Sequence, residues 1–432
     1  MKIRTLTVYI PLTWPADEGS IASAARFLSH ARLRLSDAGF EVQSVCLATP
    51  PFLDVLGYPG HSLLLEFAHA LDELAYTHNI DYVSIGPVMA TTPLALLMSI
   101  ETLPQLVAET ERIYTGVLFA DEFGGVNLAA AHALARAVHE IAHTTANGLG
   151  NLRVGAMANV PPHVAYPHVA YHHGGEACFT MATEAADLAV SAIGNTRSIS
   201  QAHVRLVDSI ETTTDHILEV VDLLVDDHQI RFKGIDFSLT SFPDQTKSIG
   251  AAIESMGIES FGGSGTLFAM AFLTNAIRQT NIPHTGFSGV MLPVLQDDVL
   301  ARRAAEGSFS LHDLLLYSAI CSAGLDIIPI PGSTAVEEIG ALYLDMAALA
   351  ISVGRPVSAR LMPIPGRAVG EKISFEAENL STSRILPVKN LGVEKLFERD
   401  TYLTMNPLPP KQRTKSEIYP PLRSSNPAKL HY

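Results

Sequence analysis

Cysteine is scarce in this sequence. Its 432 residues contain three, Cys46, Cys178 and Cys321, far apart and odd in number. That excludes a disulfide framework and zinc-type Cys pairs, and it fits reduced thiols in a cytoplasmic protein. Charge is scarce as well, at 17% of residues, and basic residues are the minority: 29 Lys and Arg against 44 Asp and Glu, for a net charge of −15. Such a balance excludes a general basic surface for nucleic acid and argues against anionic membranes. No apolar run reaches the ~18 residues expected of a membrane helix. The opening MKIRTLTVYI is too short and too polar for a signal peptide. There is no Gly-Lys-Ser/Thr phosphate loop and no Gly-x-Ser-x-Gly nucleophile elbow.

What is present is apolar residues in a repeating grammar. They make up 47% of the chain, ample for a large core. The stretch from Ser310 to Thr334 shows the unit. Ser310 is placed to cap a helix that is apolar on nearly all sides, Gly324 to end it, and Ile327, Ile328 and Ile330 to form a strand covered on both faces. Pro331 and Gly332 stop that strand, and Ser333 or Thr334 caps a helix over 335–353. Elsewhere Leu6, Val8 and Ile10 alternate with Thr5, Thr7 and Tyr9, which predicts a first strand. Further strands are expected over 40–48, 82–85, 113–119, 154–158, 235–239, 289–292 and 357–362. Helices are expected over 61–78, 127–143, 176–193, 200–226, 246–256 and 266–280. Strands alternating with helices predict a mainly parallel sheet or barrel. Residues 1–396 read as one domain. The proline-rich remainder, 397–432, reads as an extended arm that is solvated or wraps another subunit of a homo-oligomer.

In parallel α/β folds ligands sit beyond the carboxyl ends of strands, which sorts the candidate residues. Gly263, Ser264, Gly265 and Thr266 precede one helix, and Ser333 and Thr334 another. Each can cap its helix or offer N–H groups to an anion. Arg367 follows a late strand, where a guanidinium could hold a carboxylate or phosphate; Arg360, alternating with Leu361, could point into a barrel. The loop from Asn159 to Gly175 carries His163, His168, His172 and His173, a cluster that can shuttle protons or bind metal; it reads first as an active-site lid, with metal ligation the lesser alternative because the spacing matches no standard zinc pattern. His172 and His173 are candidates for proton transfer, as is Asp236, a carboxylate flanked by apolar residues whose plainer role is a buried, satisfied acid. Cys321 precedes its strand and reads as a buried, inert thiol. No metal ligand set is assigned, and no cofactor is indicated.

Several blocks together resemble a known family: KGIDFSLT, SIGAAIESMGIESFGGSGTLFAMAFLTNAI, the run from GFSGVMLPVLQDD to CSAGLDIIPIPG, RLMPIPGRAVG, KIRTLTVYI and the AYHHGG loop. Over roughly Met1 to Phe375 the chain resembles the uncharacterised family called domain of unknown function 711. The resemblance implies a pyruvate formate-lyase-like fold, a ten-stranded α/β barrel of two facing five-stranded parallel sheets. In that fold glycyl-radical enzymes do their chemistry at a central loop. This chain has no RVxGY-like segment, since Gly366 and Gly370 lie in PGRAVGEK. Where the family pattern is Cys-Gly-x-Gly-Leu-Asp, Ser322 follows Cys321. The expectation is a cytoplasmic enzyme acting on a small anionic metabolite inside the barrel without glycyl-radical chemistry. The rival is a non-catalytic metabolite-binding sensor or scaffold. Neither nucleic acid nor a membrane is expected as a partner.

Overall fold

The computed structural model describes residues 1–92, 97–194, 196–321, 324–377, 379–389 and 392–405. The proline-rich stretch from residue 406 on, and Ser322, lie outside the described residues. Ten strands build the main sheet around the site: β1 (Lys2–Tyr9), β2 (Val45–Ala48), β3 (Tyr82–Met89), β4 (Ile113–Asp121), β5 (Gly125–Asn127), β6 (Val154–Ala158), β7 (Cys178–Glu184), β8 (Arg231–Asp236), β9 (Gly324–Pro331) and β10 (Val357–Ile364). Their hydrogen-bonded order is β8-β7-β1-β2-β3-β4-β6-β10-β9, with β5 attached to β4 as an antiparallel spur. The short strand Tyr402–Leu403 pairs with β5.

Direction divides the sheet. The five strands β1, β2, β3, β4 and β6 are mutually parallel. On each flank lies a parallel pair, β7 with β8 and β9 with β10, joined antiparallel to the centre. One end of the sheet therefore combines the amino ends of the central strands with the carboxyl ends of the flanking ones. The path is open, from β8 to β9, so the ring of ten strands expected from the sequence is not found as a closed ladder among the described residues. The strand expected over 289–292 is reduced to one bridge, Leu239 to Val290. Ser288, at φ 38°, and Pro293 bound that segment and leave it no room for a regular ladder.

Residues 176–193 do not form one helix. Cys178–Glu184 is the strand β7, and the helix is Ala186–Gly194. All seven residues of β7 are buried, so its sequence shows no alternation, and Ala and Met favour a helix locally. Tertiary pairing with β1 and β8 overrides that preference.

The two faces of the sheet are covered differently. Phe27, on the helix Glu18–Asp37, packs edge-on against Phe179 of β7, whose register partner is Val8 of β1. The Val8 face is thus the helix-covered one. The opposite face carries Thr5, Thr7 and Tyr9, all 1% exposed or less. A polar strand face normally meets water. Here it meets the loop that follows β6.

Candidate functional site

The loop from Asn159 to Gly175 folds back on itself and lies against the inner face of the sheet. His163 N–H donates to Tyr171 O at 3.0 Å near its base, and Val169 N–H to Tyr166 O at 3.0 Å near its tip. Val164, Ala165, Val169 and Ala170 are all 1% exposed or less, so it is a buried insert rather than a lid over an opening. Buried backbone needs partners, and the polar strand face supplies them. Thr7 Oγ1 donates to Ala165 O at 2.6 Å, Tyr9 OH to Val164 O at 2.8 Å, and Ser84 Oγ to Ala170 O at 2.6 Å. Two glycines make room. A Cβ on Gly155 would stand 2.3 Å from His168 O, and one on Gly116 3.0 Å from the same oxygen.

The tip, Tyr166-Pro167-His168, borders a cavity of about 520 Å³ that opens to the surface beside Lys2, Glu41 and Asn379. Its walls include Arg4 and Thr5 of β1, Tyr82 of β3, Tyr114 of β4, Asp326 of β9 and Arg360 of β10. These come from the amino ends of central strands and from the flanking strands, the mixed end of the sheet. Arg360 Nε and Nη2 donate to the two oxygens of Asp326 at 2.6 and 2.9 Å. Arg4 Nη1 donates to Glu184 Oε2 at 2.9 Å and to Gln43 Oε1 at 3.2 Å, and Arg4 Nη2 to Gln296 Oε1 at 2.9 Å. Neither guanidinium exhausts its five N–H donors on these partners. Thr5 Oγ1 is buried at the cavity wall without a hydrogen-bond partner. His168 is 5% exposed, and its ring nitrogens are not among the fully buried atoms left without a partner.

Ionisation follows from burial and these charges. His168 is held well below the usual imidazole range, first by burial and then by the Arg360 charge, with Asp326 opposing. Asp326 is pushed up by burial, but the charge and hydrogen bonds of Arg360 outweigh this and leave its pKa lowered. Burial raises Tyr82 and Tyr114, whose rings lie 4.8 Å apart, so both stay protonated donors. A test follows from His168. Folded, it stays neutral; unfolded, it takes a proton below about pH 6.5. Its contribution to stability is therefore full above that pH and is lost as pH falls. Urea unfolding at pH 7 and pH 5 should show a smaller acid loss in His168→Gln than in the parent chain; equal losses would mean His168 is not held neutral.

The residues singled out from the sequence fall in several places. Asp236 is fully buried and accepts from Ser238 Oγ at 2.6 Å, Phe287 N at 2.7 Å and Ser288 N at 2.9 Å. Burial raises its pKa to about 6 against those three donors. It is not among the cavity walls. His172 is buried at the loop base, and His173 is exposed. Gly265 caps the helix Thr266–Gln279 with φ 102°, Thr266 Oγ1 accepts from Gly262 N at 3.1 Å, and Gly263 N donates to Ser260 O. Ser264 lies exposed in the same turn. The cap of the helix Val336–Val353 is Ala335, not Ser333 or Thr334. Glu338 accepts from Ala335 N at 2.9 Å there, and Thr334 Oγ1 donates to Pro331 O at 2.8 Å. A carboxylate thus already occupies that helix end. Arg367 is half exposed, 3.8 Å from Glu371. None of these residues lines the cavity.

Reading the sequence missed Arg4, Tyr82, Tyr114, Tyr166 and Asp326. One signal was available: Asp326 and Arg360 are charged residues inside otherwise apolar strands. Another pattern, His139-Glu140-Ile141-Ala142-His143, also went unread. It lies on the helix Leu128–Thr144, where Glu140 and His143 are exposed and His143 Nδ1 lies 2.8 Å from His139 O. Among the described residues no third ligand joins this pair.

Comparison with known proteins places the chain. Residues 1–381 match the family model described as Uncharacterised ACR (DUF711). A UPF0210 protein of Methanopyrus kandleri is 30% identical over 328 residues, 73% of this chain and 72% of its own length. UPF0210 proteins of Pyrobaculum arsenaticum and Carboxydothermus hydrogenoformans are 29% and 27% identical, covering 86% and 84% of this chain and 87% and 82% of their own. No helix among the described residues is long and apolar enough to cross a membrane. The match spans most of the chain, and the chain belongs to the DUF711 family.

Proposed function

We propose that this protein is an enzyme that binds a small carboxylate or phosphate metabolite in this cavity and moves a proton to or from it through His168. The observation that carries this reading is an almost fully buried imidazole at the wall of a polar cavity, beside the guanidinium of Arg360. Arg4 and Arg360 supply the remaining donors for an anion, and their own carboxylate partners fix their planes. A bound anion would offset the Arg360 charge and raise the proton affinity of His168. Neutral before binding, the imidazole would then accept a proton from the bound substrate as general base. The tip carries no thiol, which favours proton transfer over thiyl chemistry at this loop.

The same reading extends to architecture. In it, β1 to β4 with β6 are one five-stranded half of a barrel. The other half is β7, β8, the segment at Val290, β9 and β10, in the manner of the pyruvate formate-lyase fold. Support comes from the Leu239–Val290 bridge beyond β8 and from Gly289, whose Cβ would stand 2.2 Å from Cys321 O just before β9. The folded-back loop would then be the barrel's central loop.

A library of small carboxylates, phosphates and neutral analogues, screened by thermal shift and then for turnover, tests the function. Ligand at 100 times its Kd should add about 2.7 kcal/mol to stability. Anions should stabilise the parent chain, Arg4→Met should weaken this, and His168→Gln should keep binding but lose turnover. Anion binding with no turnover of any bound compound would favour the sensor. Neutral compounds binding as well as anions would remove the site.

A further inference from the structure

At the base of the folded-back loop, well away from the cavity, three side chains converge. The ligand atoms of His163, His172 and Cys178 lie within 4.8 Å of one another. His163 Nε2 and His172 Nδ1 are 3.1 Å apart. Tyr9 marks this level of β1, with its ring centroid 5.0 Å from that of His163. Arg4, at the cavity, is five residues earlier, about 16 Å along an extended strand. The two places are separate.

We propose that His163, His172 and Cys178 form a three-ligand site for a divalent transition metal of the zinc class, with a fourth position left to water or a ligand. Donor chemistry comes first. Two imidazoles and a thiol are the set that borderline-soft ions such as Zn²⁺ and Co²⁺ prefer over oxygen-seeking Mg²⁺ or Ca²⁺. Spacing comes next. With bonds of about 2.0–2.3 Å, neighbouring ligands of a tetrahedral zinc ion lie roughly 3.3–3.6 Å apart, and a cluster within 4.8 Å closes to that by small side-chain rotations.

The surroundings favour metallation. His172 turns Nδ1 to the cluster while Nε2 lies 3.4 Å from Gly175 O. Metal-bound imidazoles usually give their other N–H to such a carbonyl, which fixes the ring. His163 has φ 66°, a left-handed conformation that costs a non-glycine residue energy and is kept mostly where a side chain must be aimed. Burial lowers the pKa of both imidazoles and raises that of the Cys178 thiol to about 11 despite the Lys233 and Arg231 charges, so metal binding must expel the thiol proton. In sequence the three ligands are separated by eight and five residues, two in the loop and the last on β7, so linear spacing conceals the set.

The experiment uses the full chain, stripped with a chelator and titrated with Co²⁺. One equivalent per chain is expected, with visible d–d bands and a near-ultraviolet thiolate-to-cobalt charge-transfer band. Zn²⁺ should displace it. Cys178→Ser should lose the charge-transfer band, and Cys46→Ser should keep it. His163→Gln and His172→Gln should each weaken Co²⁺ binding by more than the roughly 10–100-fold that loss of a supporting group causes. Should Cys178→Ser fail to fold, the half-exposed His163 supplies the deciding variant. Absence of stoichiometric binding, or a spectrum and affinity unchanged in His163→Gln, would overturn the site.

Discussion

Asp326→Ala is expected to destabilise the protein by about 3–5 kcal/mol, measured as a shift in the urea unfolding transition. The size follows from burial. The Arg360 and Asp326 side chains are 12% and 10% exposed, and two hydrogen bonds join them side-on. Removing the carboxylate leaves a mostly buried guanidinium with, among the described residues, one other hydrogen-bond acceptor, Leu152 O at 3.3 Å. Guanidinium cannot shed its proton to escape that cost. Removing both charges is a different matter. Asp326→Leu combined with Arg360→Met should recover most of the loss, because a buried ion pair replaced by apolar residues of similar volume is often neutral. That variant should also fail to bind any anion that the parent chain binds. A loss below about 1 kcal/mol in Asp326→Ala would make this an ordinary screened surface pair, and the cavity would lose its electrostatic rationale.

Gly155→Ala should be nearly as damaging, for steric reasons. The added methyl would stand 2.3 Å from His168 O and 3.2 Å from both the carbonyl carbon and Cδ2 of the same residue. The clash is with backbone, not with the free end of a side chain. Nor can the loop simply retreat, because Thr7, Tyr9 and Ser84 hold its carbonyls on either side of the tip. Overpacking of this kind costs about 1–3 kcal/mol or more, and here it also displaces His168. Unfolding experiments should show that loss, and ligand-induced thermal shifts should fall with it. Gly60→Ala is the control: it has ordinary backbone geometry and nothing within 4 Å of its Cβ position. Equal stability of the two variants would mean that the loop is not packed on β6 as described.

The class of the fold was legible from local chemistry. Alternating Leu6, Val8 and Ile10, the β-branched run at Ile327–Ile330 and the capped helix after Ser310 are all short-range patterns, and they appear as β1, β9 and the helix Leu311–Cys321. Ser310 does cap that helix, its Oγ accepting from Asp313 N at 3.3 Å while Asp313 Oδ2 accepts from Ser310 N at 2.8 Å. Family membership was legible as well, because long blocks of sequence carry it. β7 was not, since a strand buried on both faces has no period and only its partners distinguish it from a helix.

The site was decided by tertiary structure alone. Thr5, Thr7 and Tyr9 read as the wet face of a strand, and only the loop packed on them makes that face an interior wall. Glycines at 116 and 155 carry no local signal, because what they accommodate is the His168 carbonyl brought from a distant loop. Arg4, Asp326 and Arg360 are separated by more than thirty residues at each step and meet because two sets of parallel strands run in opposite directions. The rule that ligands sit beyond strand carboxyl ends pointed to Gly263–Thr266 and Ser333–Thr334. In a sheet whose halves oppose, one mouth is made of both kinds of strand end, and the polar cavity lies there. Sequence records which residues are unusual for their element; only the crossing of the chain determines which of them share a wall.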